Sequence, residues 1–468
     1  MRKDSYAEVM AAKEEIIKAA VGLDYSQFER GLGFDYAGLM DSVPYTGAEV
    51  REILAGLGVG NTPLIEAKNI TRLLRKFSAP GYGARIVIKD EAQNPSGSFK
   101  ARRAALSVYE AKRLGYEGVV AATSGNYGAA VAAMAAKLNL RCIVVQECYD
   151  SRGIGQPEIL EKQRACEALG AEVVQLTVGP ELFYETLCIL KETGFYNASL
   201  YTPSAIRGIE SLGYELIQQS RELFGKDPDY VIATNAGGGN LSGTARGIRA
   251  AQAEGAKVYA ASVDLSGLHM ASDLDFNRKS FTTGHTGFGI PFTVRPDRSD
   301  VPRNAARPLR YLDGYLLVKQ GEVFYLTECL AALEGLERGP AGNTSLAAAF
   351  ALARTRPEDE LIIVQETEYT GAGKHPMAQL SFARQQGIDL SFGDPDTEVP
   401  GQSIVLPDSP AALKLREYPL ENLRLSALRH CLAGRSVASL AAEELSYLAE
   451  ELGLEREALD PLLEQFEG

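Results

Sequence analysis

Short apolar runs alternate along this chain with longer stretches in which apolar residues recur every three or four positions. Arg85 to Lys89, Gly118 to Ala122, Arg141 to Gln146, Glu172 to Gln175, Tyr230 to Thr234, Lys257 to Ser262 and Leu361 to Gln365 each have the length and β-branched character of buried strands. The stretches between them have the spacing of helices that bury one face. This rhythm predicts an α/β protein with doubly wound domains, its sheets covered by helices. Beyond Pro400, Pro407 and Pro410 read as a linker. From Ala411 onward, Leu and Ala alternate with Glu and Arg at helical spacing. That tail is expected to pack as an amphipathic appendage on the body, on a small partner or on a second copy. No internal repeat or low-complexity tract interrupts the pattern.

Composition narrows the function classes. At 468 residues and 45% hydrophobic, the chain can bury a sizeable core and form more than one domain. A net charge of −13 argues against a nucleic-acid partner. Apolar runs such as Ala347 to Ala353 are too short to span a membrane, and Met1 to Ser5 lead into a polar helical pattern without a signal-peptide core. Cys142, Cys148, Cys166, Cys188, Cys329 and Cys431 show no metal-ligand spacing, and their scatter suits a reducing cytoplasm.

Three turns carry the candidate chemistry. Asn94-Pro95-Ser96-Gly97-Ser98-Phe99-Lys100 presents one lysine on a small-residue turn at the start of a helix, the way a Schiff-base lysine is displayed. Arg102 and Arg103 follow, and burial beside them would favour the free amine. Thr123-Ser124-Gly125-Asn126 ends one strand pattern and opens a helix, with Asn126 placed to donate to an anion or to cap the helix. Gly237-Gly238-Gly239-Asn240-Leu241-Ser242-Gly243 does the same after Tyr230 to Thr234. A glycine turn at a helix N-terminus offers backbone N–H groups to a phosphate, and Asn240 and Ser242 add side-chain donors. No Walker lysine follows, and the spacing is not that of a dinucleotide fingerprint.

In order and separation, these motifs resemble those of the fold-type II pyridoxal phosphate (PLP) enzymes, the tryptophan synthase β-chain and threonine dehydratase superfamily. Gly60-Asn61-Thr62-Pro63-Leu64, Arg207 to Glu215 and Pro340 to Ala348 are similar to further motifs of that family. The resemblance implies two α/β domains with PLP between them: a larger one from residues 1–100 and 206–400, a smaller one inserted at 101–205, and a helical extension at 401–468. It makes Lys100 the cofactor-bearing and catalytic lysine, Asn126 the partner of the cofactor's ring oxygen, and Gly237, Gly238, Gly239, Asn240 and Leu241 the phosphate cradle. Thr123, Ser124, Gly125 and Asn126 would bind the substrate carboxylate. The ring nitrogen's partner lies just past a late strand, where Glu366, Thr367 and Thr370 are all candidates.

Two further stretches, Gln146 to Gly153 and Gln175 to Tyr184, resemble the β subunits of the 2-amino-4-ketopentanoate thiolases. That likeness implies coenzyme A-dependent cleavage of 2-amino-4-oxopentanoate to acetyl-CoA and D-alanine in ornithine degradation, by a cytoplasmic enzyme with a small α subunit and a second copy of the chain as partners. Expelling C3 as a carbanion needs an electron sink, which PLP provides. Cys148, read as loop chemistry just past the strand Cys142 to Val145, is a candidate acyl carrier; the alternatives are an inert buried thiol and direct attack by coenzyme A. Arg295, Arg298, Arg303, Arg307 and Arg310 crowd one proline-rich stretch, either a phosphate-binding or docking loop or a solvated connector. His285 is either substrate-facing or a turn residue. A stand-alone PLP ammonia-lyase or threonine synthase-like enzyme is the alternative activity, distinguished by not consuming coenzyme A. A non-catalytic scaffold is the alternative class, and retention of Lys100 argues against it.

Overall fold

The computed structural model describes residues 4–123, 125–150, 152–155, 157–177, 181–199, 201–265, 281–282, 308–369 and 376–466. Ser124, Thr370, His285 and the arginines at 295, 298, 303 and 307 lie outside the described residues.

All of the predicted strands form, most of them a residue or more longer than the apolar run that signalled them. The larger sheet has the order Gly314–Val318, Lys257–Val263, Tyr230–Thr234, Leu361–Glu366, Arg85–Asp90, Leu64–Glu66. Its strands are parallel except Leu64–Glu66, which pairs antiparallel at the edge. The period of two is visible in its core. Val87, Val231 and Ile363 pack on one face, while Ile86, Ile88, Ile232, Ile362 and Val364 pack on the other against Leu346 and Phe350. Both faces are covered, so these strands read as continuous apolar runs. The chain steps outward from Tyr230–Thr234 to Gly314–Val318, then returns to lay Leu361–Glu366 on the far side of Tyr230–Thr234. Such a reversal leaves a crevice at the strands' carboxyl ends.

The smaller sheet is parallel throughout, in the order Glu172–Thr177, Arg141–Tyr149, Gly118–Thr123, Tyr196–Asn197. Cys148 belongs to this sheet and not to a loop. The register jumps from Glu147 opposite Leu176 to Tyr149 opposite Thr177, leaving Cys148 as the extra residue of a bulge, 2% exposed. The apolar run ends at Val145, but pairing with Glu172–Thr177 carries the strand four residues further than that run suggested.

The helix Lys100–Arg113 packs against Asn126–Leu138 and Pro203–Phe224, and the latter crosses Gly239–Ala250 at close range. A Cβ at Gly208 would lie 2.2 Å from the Arg102 carbonyl oxygen, and one at Gly213 would lie 2.0 Å from that of Thr244. These two glycines of the Arg207-to-Glu215 motif are therefore contact points between backbones.

The C-terminal region departs from the expected linker. Ser403–Pro407 is a strand, parallel to Asp389–Gly393, with Ile404 and Leu406 buried on the helix Gln320–Glu334. Buried Glu398 accepts from the Gln320 and Gly321 amides at 3.0 Å each, capping that helix. The prolines end this strand and the turns around it without freeing the chain. The tail then forms helices Leu420–Leu432, Ala442–Glu451 and Arg456–Leu463, with Leu423, Leu428, Leu448 and Leu459 in the main core. Glu444 also accepts from the Leu32 amide at 3.0 Å, so the tail packs on the body. Among the described residues, no helix is long and apolar enough to cross a membrane.

Candidate active site

The lysine turn is held in an unusual backbone shape. Ser96 has φ +70° and Gly97 φ +69°, two successive left-handed residues that reverse the chain before Lys100. The segment just past Leu361–Glu366 clasps this turn: the Phe99 amide donates to the Thr367 carbonyl at 3.0 Å, and the Tyr369 amide donates to that of Gly97 at 2.8 Å. This clasp brings Thr367 and Glu368 beside half-buried Lys100, whose Nζ lies 5.5 Å from the Phe99 ring centre.

Arg102 does not act on the lysine as its sequence neighbourhood suggested. It turns into the core, donating to Glu91 at 2.7 and 2.8 Å, to Glu215 at 3.0 and 3.1 Å and to Ser211 at 3.1 Å. Lys89 completes the network, 2.5 Å from Glu215. The guanidinium and Lys89 hold the Glu215 carboxyl down at about 2 despite its burial. Asn61 and Thr62 present their amides to the same carboxylate, at 2.9 and 3.0 Å. The Gly60-to-Leu64 and Arg207-to-Glu215 motifs thus meet in one scaffold beneath the lysine turn. Arg103 points elsewhere, to the glycine turn.

Asn126 opens its helix as the first helical residue. Its side-chain amide donates to the Glu368 carboxylate, while its Oδ1 is buried with no hydrogen-bond partner among the described residues. The Thr123 hydroxyl accepts from the amides of Gly125 at 3.0 Å and Gly128 at 3.3 Å, capping the turn.

The glycine turn begins the helix Gly239–Ala250, with Gly238 at φ +82°. A Cβ at Gly237 would lie 1.7 Å from the Tyr201 hydroxyl, and one at Gly239 would lie 2.5 Å from Arg103 Nη2, so neither position has room for a side chain. Asn240 donates to Gln365 at 2.7 Å, and Gln365 donates to Thr244 at 2.6 Å, locking the turn to the strand Leu361–Glu366. Ser242 Oγ and Asn240 Oδ1 are buried without partners among the described residues.

Of the ring-nitrogen candidates, Glu366 is 1% and Thr367 5% exposed. The Glu366 carboxyl rests against Gly342, whose Cβ would fall 1.9 Å from Oε1. Neither of its oxygens has a close hydrogen-bond partner among the described residues, though the Glu368 backbone amide stands near enough to favour its charged form. Burial first, then the charges of Glu368 and Asp90, push its pKa well above the carboxylate range; Arg338, committed to Asp90 at 2.5 Å, and the Glu368 amide oppose this less strongly. Burial likewise raises the Cys148 thiol to about 11, where it is a poor nucleophile.

The lysine turn, the asparagine turn and the glycine turn thus converge at the carboxyl ends of Gly118–Thr123, Tyr230–Thr234 and Leu361–Glu366. The arrangement fits PLP: an amine, an asparagine with a side-chain NH2 group, and a helix N-terminus whose Ser242 hydroxyl is buried with no partner among the described residues. Sequence reasoning missed Glu368 and Tyr201. Glu368 stands two residues past a strand end, and the glycines opposite Tyr201 signalled only that something approaches closely.

Comparison with known proteins agrees. Residues 56–366 match the family described as "Pyridoxal-phosphate dependent enzyme". The chain is 60% identical over its whole length, and over the whole of the relative, to the 2-amino-4-ketopentanoate thiolase beta subunit of Acetoanaerobium sticklandii. It is also 60% identical, over 96% of each chain, to a protein of that name from an unknown prokaryotic organism. The threonine synthase of Halalkalibacterium halodurans is 29% identical over 42% of this chain and half of its own. Among solved structures, serine racemase from Dictyostelium discoideum (TM-score 0.54, 20% identity) covers 69% of this chain and 97% of its own. A threonine deaminase from T.th. (TM-score 0.52, 24% identity) covers 69% and 96%. At these identities the two structures speak for the fold alone, whereas the full-length match and the family match carry more: the chain belongs to the pyridoxal-phosphate-dependent enzymes of fold type II and, among them, to the family of the 2-amino-4-ketopentanoate thiolase β subunits.

Proposed function

We propose that this chain is the PLP-bearing large subunit of an enzyme that splits 2-amino-4-oxopentanoate with coenzyme A into acetyl-CoA and D-alanine. The observation that carries this reading is 60% identity over the full length of a named thiolase β subunit, joined to a site whose three turns suit PLP. When bound, PLP supplies an electron sink conjugated to the substrate's amino group. The chain's residues have distinct tasks. Lys100 anchors the cofactor and takes and returns the proton at the substrate's Cα. Asn126 donates to the ring oxygen, and Gly237 to Leu241 cradle the phosphate. Residues 123–126 hold the substrate carboxylate, with the Gly125 amide and the Thr123 hydroxyl already bonded to each other in the turn. The ring nitrogen falls to Glu366, Thr367 or Thr370; Glu366, with its raised pKa and no close partner for its oxygens among the described residues, is suited to meet it as a neutral acid.

The thiolate is coenzyme A's own. It would add to the C4 carbonyl, the C3–C4 bond would break, the acetyl group would leave on sulfur, and protonation at C3 would make the methyl group of alanine; bound PLP would supply the sink that makes C3 able to leave. Cys148 is excluded as acyl carrier in this reading by its burial and raised pKa.

The large domain comprises residues 1–100 and 206–400, with 101–205 inserted; the confinement of the smaller sheet to residues 118–197 supports that division. The partners are a small α subunit, as the relatives' name "beta subunit" suggests, and a second copy of the chain, in the cytoplasm. The test is acetyl-CoA formation from 2-amino-4-oxopentanoate and coenzyme A by PLP-loaded protein, with and without the small subunit. Activity that requires the partner and falls by about 10³-fold or more in Lys100→Ala is expected. Release of a keto acid from threonine or serine with no acetyl-CoA would instead identify a lyase.

A further inference from the structure

Arg103 stands one turn after Lys100 on the same helix, so the two side chains leave it on neighbouring faces. Both charged groups lie 5.5 Å from the centre of the Phe99 ring. Arg103 is 4% exposed and reaches across to the glycine turn, where a Cβ on Gly239 would meet its Nη2 at 2.5 Å and its Cζ at 3.2 Å. The guanidinium therefore rests in van der Waals contact with the residue that starts the helix Gly239–Ala250. Tyr201, Tyr127 and Tyr36 stand around it, and the Tyr201 hydroxyl lies against Gly237. Burial lowers its pKa, but a guanidinium starts so high that it keeps its charge.

We propose that Arg103 supplies a full positive charge to the cofactor's phosphate and so sets the preference for the phosphorylated cofactor over pyridoxal. A helix N-terminus offers about half an elementary charge, which leaves a phosphate dianion largely uncompensated in a buried site. The guanidinium touching the turn makes up much of the difference, and its planar fork suits two phosphate oxygens. Away from water such a contact is worth more than at a surface. The inference rests on the reading that the glycine turn holds the phosphate.

The test uses the full chain with its small partner. Wild type, Arg103→Lys and Arg103→Met are titrated with PLP and, separately, with pyridoxal, following the visible absorbance of the lysine-bound cofactor. Arg103→Met should weaken PLP by about ten- to a hundredfold while changing pyridoxal by less than about twofold, with Arg103→Lys intermediate. Inorganic phosphate added with pyridoxal should strengthen its binding in wild type and fail to do so in Arg103→Met. If PLP and pyridoxal weaken together, or neither weakens, Arg103 is a packing residue and the inference falls. If wild type itself binds both equally, the glycine-turn reading falls and takes the inference with it. Should Arg103→Met not fold, the PLP-to-pyridoxal ratio of Arg103→Lys decides in the same way.

Discussion

Arg102 and Arg103 are neighbours on one helix and serve opposite sides of it. On the Arg102 side, Glu91, Glu215, Lys89, Ser211 and Thr62 fill one another's hydrogen-bonding capacity. On the Arg103 side, the crevice is bordered by buried polar atoms with no close hydrogen-bond partner among the described residues: Asn126 Oδ1, Asn240 Oδ1, Ser242 Oγ and both oxygens of Glu366. Leaving such atoms unpaired is costly, about 1–3 kcal/mol each. Such atoms also occur away from these turns, at Gln146 Oε1 and Arg310 Nε among others, so the contrast lies in their gathering around the lysine and glycine turns. It also predicts that substitutions on the saturated side change stability, and those on the unsaturated side change cofactor affinity.

The largest effect should come from Arg102→Met. It removes the cation from between Glu91, which is fully buried, and Glu215. Breaking a buried ion network from one side costs about 3–5 kcal/mol. Urea denaturation of the cofactor-free protein should show that loss. A loss below about 1 kcal/mol would mean that water or rearranged side chains replace the guanidinium, and that the network is not the scaffold described.

A second effect, nearly as large, is a difference of sign with pH. The Glu215 pKa is held down to about 2, so its contribution to stability is complete above the ordinary carboxylate value and is lost as pH falls toward 2, amounting to about 3 kcal/mol. Glu366 is raised, so its contribution is complete below the ordinary value and is lost as pH rises through its folded pKa. Glu215→Gln should therefore be destabilised at neutral pH and converge with wild type in acid. Glu366→Gln should gain on wild type as pH rises, by up to about 1.4 kcal/mol per pH unit. Thermal unfolding of the three proteins across the pH range checks both. Parallel curves for Glu366→Gln and wild type would place a hidden donor on that carboxylate.

Much of this arrangement was legible in the chain because it rests on short-range signals. Strands buried on both faces announce themselves as apolar runs, and the three turns carry small residues where strands hand over to helices. Edge elements were read less well: Glu172–Thr177 was found, but Gly314–Val318, itself an apolar run, was not read as a strand. Leu64–Glu66 is only half buried, Tyr196–Asn197 is two residues long, and Ser403–Pro407 was masked by prolines that end a strand without loosening it. Cys148 was misplaced because a bulge carries pairing past the apolar run. The division of labour between Arg102 and Arg103 was illegible for a deeper reason. Which of two adjacent arginines meets carboxylates depends on Glu91 and Glu215, and Glu215 arrives from a helix more than a hundred residues away.

The smallest of these effects is also the most selective probe of the comparison. Ser242 is fully buried in the first turns of the helix that the glycines open, and its hydroxyl has no partner among the described residues. In the cofactor-free protein that hydroxyl is a liability, since a buried polar atom is held away from water for no return. Ser242→Ala should leave the cofactor-free protein as stable as wild type, or more stable by about 0.5–1 kcal/mol. If the glycine turn holds the phosphate, the hydroxyl can donate to it, and the same substitution should then weaken PLP binding by about three- to tenfold. The two measurements thus move in opposite directions for one deleted oxygen. A saturated scaffold position cannot produce that pattern: there, loss of stability would appear with and without the cofactor. Paired thermal shifts of cofactor-free and PLP-loaded protein make the distinction, and a Ser242→Ala variant destabilised equally in both states would move Ser242 to the scaffold side.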